Sequence, residues 1–296
     1  MKQAGQQSNV LNIDPRAPES NEYIKISSAL SLAREIVRHV WNDWVLHVHT
    51  NGHNAKSWII ALGCGLAAQF GSGATLTLHS GMVPSYIGSA RPWMRRFVSF
   101  TCVLYRQVVC VSDDIASTVA GLGVAKEMIQ ITPAYLPIGK PDAVVPAEIE
   151  DWIQRHSPVV SSAMFFRPEY GFESLVEAIA RLRRRYPRIG CVVMGCQDHG
   201  EAAALIASQE LEDGMLLAGD LDHDLCLAVM ARSAVFVRPT FRDGDSISVR
   251  EAVTLGVPVV ASNVGTRPEG VFLFEAGDVS GLVAEIQRAL TESDCS

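Results

Sequence analysis

The sequence predicts an α/β protein made of two doubly wound units, each a parallel sheet with helices on both faces. Three observations carry this expectation. First, short apolar, β-branched runs recur along the chain: Trp44–His49, Ala74–His79, Val108–Ser112, Met128–Thr132, Val159–Phe165, Ile189–Gly195, Met215–Ala218, Ala234–Arg238 and Val257–Ser262. Near-continuous apolarity is how a strand covered on both faces reads. Second, the stretches between these runs have helical period. The clearest is Phe172–Tyr186, where Phe172, Leu175, Val176, Ile179 and Leu182 form one apolar stripe. Third, 296 residues suit two such units better than one sheet.

The break between the units is expected at Leu136–Pro146, LPIGKPDAVVP, which holds three prolines and a glycine and has no period. Residues 1–136 then form the N-terminal unit, 137–146 the linker and 147–296 the C-terminal unit. Residues 1–20 are expected to be mobile, and Gly71-Ser72-Gly73 reads as a turn leading into the strand Ala74–His79.

Composition narrows the function. The net charge of −7 argues against a nucleic-acid protein, because phosphate backbones demand a basic surface. No apolar run is long enough to span a bilayer, and the polar start of the chain lacks the apolar core of a secretory signal. The seven cysteines, at 64, 102, 110, 191, 196, 226 and 295, form no CxxC pair and read as reduced thiols of a cytoplasmic protein. His47, His49 and His53 cluster without an acidic or cysteine companion, so no metal site is expected there. Two arginine-rich stretches remain. Arg181, Arg183, Arg184, Arg185 and Arg188 close a helix, where they complement its dipole. The stretch Ala90–Val98 sets Arg91, Arg95 and Arg96 beside Trp93, Phe97 and Phe100. It reads either as an ordinary amphipathic helix or as a peripheral membrane contact.

The chemistry concentrates in residues 236–262, which read strand, loop, helix, strand. The loop Pro239–Asp245 contains Gly244, and Asp245 or Ser246 can cap the helix that follows. A glycine-containing loop feeding a helix N-terminus is a ready anion site, since unpaired N–H groups and the helix dipole face the ligand. Glu251 lies five residues beyond Ser246, roughly 7–8 Å along the helix. With a diphosphate at the helix mouth, a nucleoside ribose reaches that depth, and a carboxylate there can accept from both of its hydroxyls. Asp243 then brackets the other end of the diphosphate, where a sugar would lie.

This segment resembles the Glu-x7-Glu motif of the retaining family 4 glycosyltransferases. Asp243 stands where the first Glu usually stands, and Gly244 matches the Gly after it. Glu251-Ala252 matches the second Glu-Ala, and Leu255–Ala261 its continuation. Val264–Glu269 resembles the family's Gly-Gly-x-Pro-Glu loop, Phe274–Asp278 its closing Gly-Asp, and Gly171–Ala178 the helix after its first C-domain strand. Val45–His49 and Val109–Ser112 also fit, so the resemblance covers roughly residues 40–292. It implies the GT-B fold of two Rossmann-like domains, with the nucleotide sugar on the C-terminal one.

The departures are specific. Phe165 and Tyr170 occupy the positions of the family's usual diphosphate-binding Arg and Lys, with Arg167 nearby as a substitute. The family's first N-terminal strand and Gly-rich loop have no counterpart, so the N-terminal unit is expected to be incomplete and its sheet edge covered by a partner chain or a second copy. Asp243-Gly244-Asp245 also matches the Asp-x-Asp metal motif of another glycosyltransferase architecture, although there the motif lies among the early strands of a single domain.

The resemblance implies transfer of a sugar from a nucleoside diphosphate sugar, a UDP-sugar being favoured, to an acceptor hydroxyl with retention, in polysaccharide or glycoconjugate synthesis. It assigns Asp243 and His79 to the donor sugar as catalytic residues. Arg167, Gly244, Asp245, Ser246, Ile247, Glu251, Arg267 and Glu269 are assigned to the donor nucleotide, and His49 to the acceptor, which is a sugar or a lipid-linked sugar. No cofactor and no metal is implied. A catalytically weak nucleotide-sugar-binding subunit of a split transferase is the alternative.

Overall fold

A computed structural model describes residues 8–14, 19–133, 135, 139, 141–195 and 200–293. Most of 1–20, part of the expected linker, Cys196 and Cys295 lie outside the described residues. The chain divides into two compact units, Met1–Thr132 and Pro133–Ser296.

Unit 1 opens with a two-residue parallel pairing of β1 (Leu11–Asn12) and β2 (Ile24–Lys25), which the apolar pattern does not announce. Helix α1 (Ala29–Trp41) follows, started by a capping box between Ser28 and Ser31. Then strand and helix alternate: β3 (Leu46–Thr50), α2 (Ala55–Ala68), β4 (Ala74–Leu78), α3 (Val83–Ser89), α4 (Pro92–Val103), β5 (Gln107–Cys110), α5 (Asp113–Ala120) and β6 (Ile129–Ile131). The four strands β3 to β6 form one parallel sheet in chain order. Among the described strands, β3 pairs only with β4. On α4 the buried side is Val98, Thr101 and Cys102. Trp93 and Phe100, placed by the helical pattern on one face with Phe97, stand 60% and 53% exposed and so do not serve as the packing face.

Unit 2 contains α6 (Ala147–Arg155), β7 (Val159–Ala163), α7 (Phe172–Arg183), β8 (Gly190–Met194), α8 (Gly200–Ser208), β9 (Met215–Gly219), α9 (His223–Met230), β10 (Val235–Arg238), α10 (Ile247–Thr254), β11 (Val259–Ser262), β12 (Phe272–Phe274) and α11 (Val279–Ser293). Helix α7 stops at Arg183, short of the expected Tyr186, and β12 is a further strand that the apolar pattern does not mark. All six strands are parallel, in the order β12-β11-β10-β7-β8-β9.

Successive strand residues face opposite sides, and each side is covered. Val160, Val193, Val237 and Val260 pack under α7 and α11 through Leu175, Ile179, Leu282 and Ile286. Val159, Val192 and Met194 meet Ile149 and Trp152 of α6 on the other side, and Phe236 and Val259 meet Val249 and Ala252 of α10.

This strand order fixes where a ligand belongs. From β7 the chain proceeds outward through β8 and β9, then returns to lay β10 on the opposite flank of β7. The winding direction reverses between β7 and β10, and the crevice at the carboxyl ends of two such strands is where open α/β sheets bind ligands.

No helix among the described residues is long and apolar enough to cross a membrane. Cys64, Cys102, Cys110, Cys191 and Cys226 are free thiols. Burial pushes Cys64 up to about 11 and Cys102 and Cys110 up to about 12, so these thiols stay protonated and inert.

Candidate functional site

The loop between β10 and α10 lies at the β7–β10 crevice and holds Asp243, Gly244, Asp245 and Ser246, four of the residues that the sequence selects. Ser246 is the N-cap of α10, its hydroxyl accepting from the Val249 N–H. Gly265 allows the neighbouring loop to close over the helix mouth. Its φ is +69°, and a Cβ there would collide with the carbonyl oxygens of Gly244 and Asp243. The Thr266 N–H donates to the Gly244 carbonyl at 2.7 Å, tying the two loops together. Gly171 does the same for the loop after β7. Its φ is +73°, and a Cβ would meet the Pro239 carbonyl oxygen. The Phe241 N–H donates to the Glu169 carbonyl at 2.8 Å.

Asp243 is held by two arginines. Its Oδ2 accepts from Arg238 Nε and Arg267 Nη1, each at 3.1 Å, and from the Thr240 hydroxyl at 3.3 Å. Its Oδ1 accepts from the Gly244 N–H. Burial works to raise the Asp243 carboxyl, but Arg238 and Arg267 outweigh it and hold it below the ordinary carboxylate value. Arg267 also donates to the Ser262 carbonyl and the Thr240 hydroxyl. Ser262 in turn donates to the Thr240 carbonyl at 2.6 Å, so the ends of β10 and β11 share one polar network.

Asp245 departs from its expected role at the donor. Its Oδ1 takes the Arg250 Nε at 2.6 Å, its side chain is 1% exposed, and its Oδ2 has no partner among the described residues. It is buried at the start of α10, next to the parallel bridge between Asp245 and Thr266. Ile247 is exposed at the first turn of α10, and Glu269 is exposed on the loop after β11. Arg167 is also exposed, its guanidinium 5.6 Å from the centre of the Phe165 ring.

Glu251 is buried on α10 and accepts from His223 Nε2 at 2.6 Å. His223 begins α9, and the residue patterns give no sign of it, since its only signal is position at the start of a helix after a sheet strand. A cavity of about 410 Å³ opens beside it, lined also by Pro141, Asp142, Ala143, Asp224 and Leu227. The His223 ring nitrogen and the Glu251 carboxylate, paired at 2.6 Å, can together fix a vicinal diol.

In unit 1, His79 follows β4 and His49 lies on β3. His49 Nδ1 and His79 Nε2 share a hydrogen bond at 2.8 Å, and His47 Nε2 meets the Thr77 hydroxyl at 2.7 Å. The His47 and His49 rings are 4.2 Å apart, and those of His49 and His79 are 5.1 Å apart. Desolvation lowers all three, and repulsion from neighbouring histidines adds to it at His49 and His79, taking His49 to about 4, so the stack is uncharged at neutral pH. Among the described residues, no three His, Cys, Asp or Glu side chains converge as metal ligands.

A family model for glycosyl transferases group 1 matches residues 157–292. The C-terminal unit is a group 1 glycosyltransferase domain. The chain is 25% identical over 274 residues to a phosphatidylinositol N-acetylglucosaminyltransferase subunit of Arabidopsis thaliana, covering 90% of this chain and 58% of that relative. It is 28% identical over 202 residues to a phosphatidyl-myo-inositol mannosyltransferase of Propionibacterium freudenreichii, covering 64% of this chain and 50% of that one. The chain thus spans about half the length of these curated relatives. Among solved structures, sucrose-phosphate synthase from Thermosynechococcus elongatus superimposes with a TM-score of 0.76 at 19% identity, covering 99% of this chain and 82% of that one. Anabaena HepE, solved in complex with UDP, superimposes with a TM-score of 0.71 at 16% identity, covering 92% and 77%. The glycosyltransferase domain thus belongs to a chain with two parallel-sheet units of the GT-B type.

Proposed function

We propose that this protein transfers a sugar from a nucleoside diphosphate sugar to an acceptor hydroxyl with retention of configuration. One observation carries the reading. Asp243 and Glu251, eight positions apart, flank the mouth of α10 at the point where the sheet reverses direction, inside a group 1 glycosyltransferase domain. A diphosphate at that mouth faces the first N–H groups of α10. Glu251 receives the ribose hydroxyls, and Asp243 acts at the sugar end. The bond from C1 to the diphosphate oxygen breaks and one from C1 to the acceptor oxygen forms on the same face. The acceptor proton passes to the departing diphosphate. The protein's part is to orient both sugars and stabilise the leaving charge. His79 is assigned to the donor sugar and His49 to the acceptor, and the uncharged histidine stack suits hydrogen bonding to sugar hydroxyls. A UDP-sugar is the favoured donor, since the HepE structure holds UDP.

The reading is tested by thermal-shift screening with UDP, GDP and ADP, followed by donor hydrolysis and transfer assays. A nucleotide at about 100 times its Kd should stabilise the fold by roughly 2.7 kcal/mol. None of the three stabilising the chain would reject the reading. Asp243→Asn should lower turnover without weakening nucleotide binding, and EDTA should leave turnover unchanged, since no metal has a part in this scheme.

A second reading, a binding subunit completed by another chain, draws on β3, which pairs on one side only among the described strands. It also draws on the Arabidopsis relative, which is named as one subunit of its enzyme. Light scattering separates the two: a clean monomer with full turnover rejects the subunit reading. The acceptor side is proposed to meet a membrane surface through Trp93, Arg95, Arg96 and Phe100 of α4, which line or flank an open cavity of about 560 Å³. Co-sedimentation with anionic vesicles that is lost on Trp93→Ala and Arg95→Ala tests this placement.

A further inference from the structure

The polar network at the β7–β10 crevice carries a charge imbalance. Arg238, Arg267 and Asp243 form one buried cluster, with side chains 12%, 4% and 11% exposed. The adjoining Arg250 is already matched by Asp245. One carboxylate therefore serves two guanidiniums, and the cluster holds a net charge of +1 away from water. Buried charges are normally paired one to one, because an unpaired one is costly to desolvate. At Arg267 burial lowers the guanidinium most, Asp243 and more weakly Asp245 raise it, and Arg238 works against them. An anion at the crevice supplies the missing charge.

Arg238 is the member of this cluster that bridges the two strands at the crevice. It ends β10, so it stands at the carboxyl end of a strand on one side of the reversal point. Its Nη1 donates to the Ala163 carbonyl at 2.7 Å, at the carboxyl end of β7 on the other side. Its guanidinium lies 5.0 Å from the centre of the Tyr170 ring. Nε and Nη1 are taken by Asp243 and Ala163, and Nη2 finds no acceptor among the described residues. Phe165 and Tyr170 stand where two diphosphate-binding cations are expected on the loop after β7. Arg167, the expected substitute, is exposed to solvent. Arg238 brings a cation to the same loop from the neighbouring strand, and the aromatic ring of Tyr170 supports it.

We infer that Arg238, held in place by Asp243, Ala163 and Tyr170, is the diphosphate-binding cation of this chain, and that Asp243 positions it. This rests on the proposed nucleotide-sugar reading. Arg238 Nη2 donates to a phosphate oxygen, and the excess positive charge of the cluster stabilises the diphosphate as it leaves. Asp243 thus has a positioning role towards two arginines in addition to any contact with the sugar.

The experiment is calorimetric titration of inorganic pyrophosphate, and of UDP, GDP and ADP, into the full chain and three variants. Arg238→Gln removes the cation and should weaken pyrophosphate by about 10- to 100-fold, the worth of a charge-assisted hydrogen bond. Arg238→Lys keeps the charge without the fork, and should recover part of that loss if the glutamine variant is poorly folded. Asp243→Asn keeps an amide oxygen that can accept from Arg238 Nε and so hold it in place, while raising the net charge of the cluster to +2, and should tighten pyrophosphate several-fold. Opposite signs at 238 and 243 are the signature, since a merely structural pair would weaken binding from either side. Unchanged pyrophosphate affinity in both Arg238 variants, or equal weakening by Asp243→Asn, overturns the assignment. Failure of the wild-type chain to bind pyrophosphate overturns it as well. If the chain binds pyrophosphate through Arg238 but binds none of the three nucleotides more tightly, the nucleotide-sugar reading fails while the anion site stands.

Discussion

At the scale of single residues, Glu251 has the sharpest consequence. It is a buried carboxylate whose Oε1 is fixed by His223, leaving Oε2 for a ligand hydroxyl. Glu251→Gln keeps the shape and loses the charge, so nucleoside diphosphate affinity should fall by roughly 1–3 kcal/mol without unfolding. Titration calorimetry checks this, and unchanged affinity removes Glu251 from the site. The histidine stack gives a prediction in pH. His49 titrates near 4 when folded, below its unfolded value of about 6.5. The unfolded chain therefore binds the extra proton first as pH falls. The stabilising contribution is complete above about 6.5 and is lost progressively between there and about 4. Proton NMR of the imidazole C–H signals should show His49 titrating near 4, with His47 and His79 also below 6.5. A normal value at His49 would mean the stack is not formed. The sequence singles out Asp243 and Glu251 as candidates because a carboxylate at a fixed offset from a helix start is a linear signal. It does not single out Arg238 and His223, because Arg238, besides nearby Asp243, is fixed by Ala163 75 residues upstream, and His223 meets Glu251 28 residues downstream. Asp245 reads as a donor residue for a related reason, since only the fold shows that its side chain turns inward onto Arg250.

At the scale of elements, the site depends on two loops pinned by glycines and on one capped helix. Gly265 combines a positive φ with contact to the Gly244 and Asp243 carbonyls, so Gly265→Ala should both strain the backbone and push the loops apart. We expect a loss of more than about 1 kcal/mol in stability, together with weaker nucleotide binding, by chemical denaturation and titration. Ser246→Ala removes the N-cap of α10 and should cost about 1 kcal/mol. Equal stability to wild type in both variants would show that the helix mouth is held by other contacts. The sequence marks α10, β10 and β11 well, since apolar runs, a cap and Gly256-Val257-Pro258 punctuate them. It does not mark β12 or the β1–β2 pairing, which are too short to show a period.

At the scale of the whole molecule, the strand order of unit 2 matters most. Parallel strands with two-sided burial are readable as apolar runs, and so is the division into two units. The reversal between β7 and β10 is not, because a list of strands carries no neighbour order until the resemblance or the fold supplies one. That reversal gathers β7, β10 and β11 ends into one crevice, with Arg238, Asp243, Arg267 and the mouth of α10 around it. Nucleotide binding should therefore protect amides of unit 2 near β7, β10 and α10 from hydrogen exchange, and protection confined to unit 1 would argue against the site. The central claim is that this crevice receives the nucleoside diphosphate. The most direct measurement is a crystal structure of the chain with the nucleotide that binds best among UDP, GDP and ADP. The diphosphate should lie at the mouth of α10 beside Arg238, with the ribose hydroxyls on Glu251. A nucleotide bound anywhere else, with the crevice empty, would contradict it.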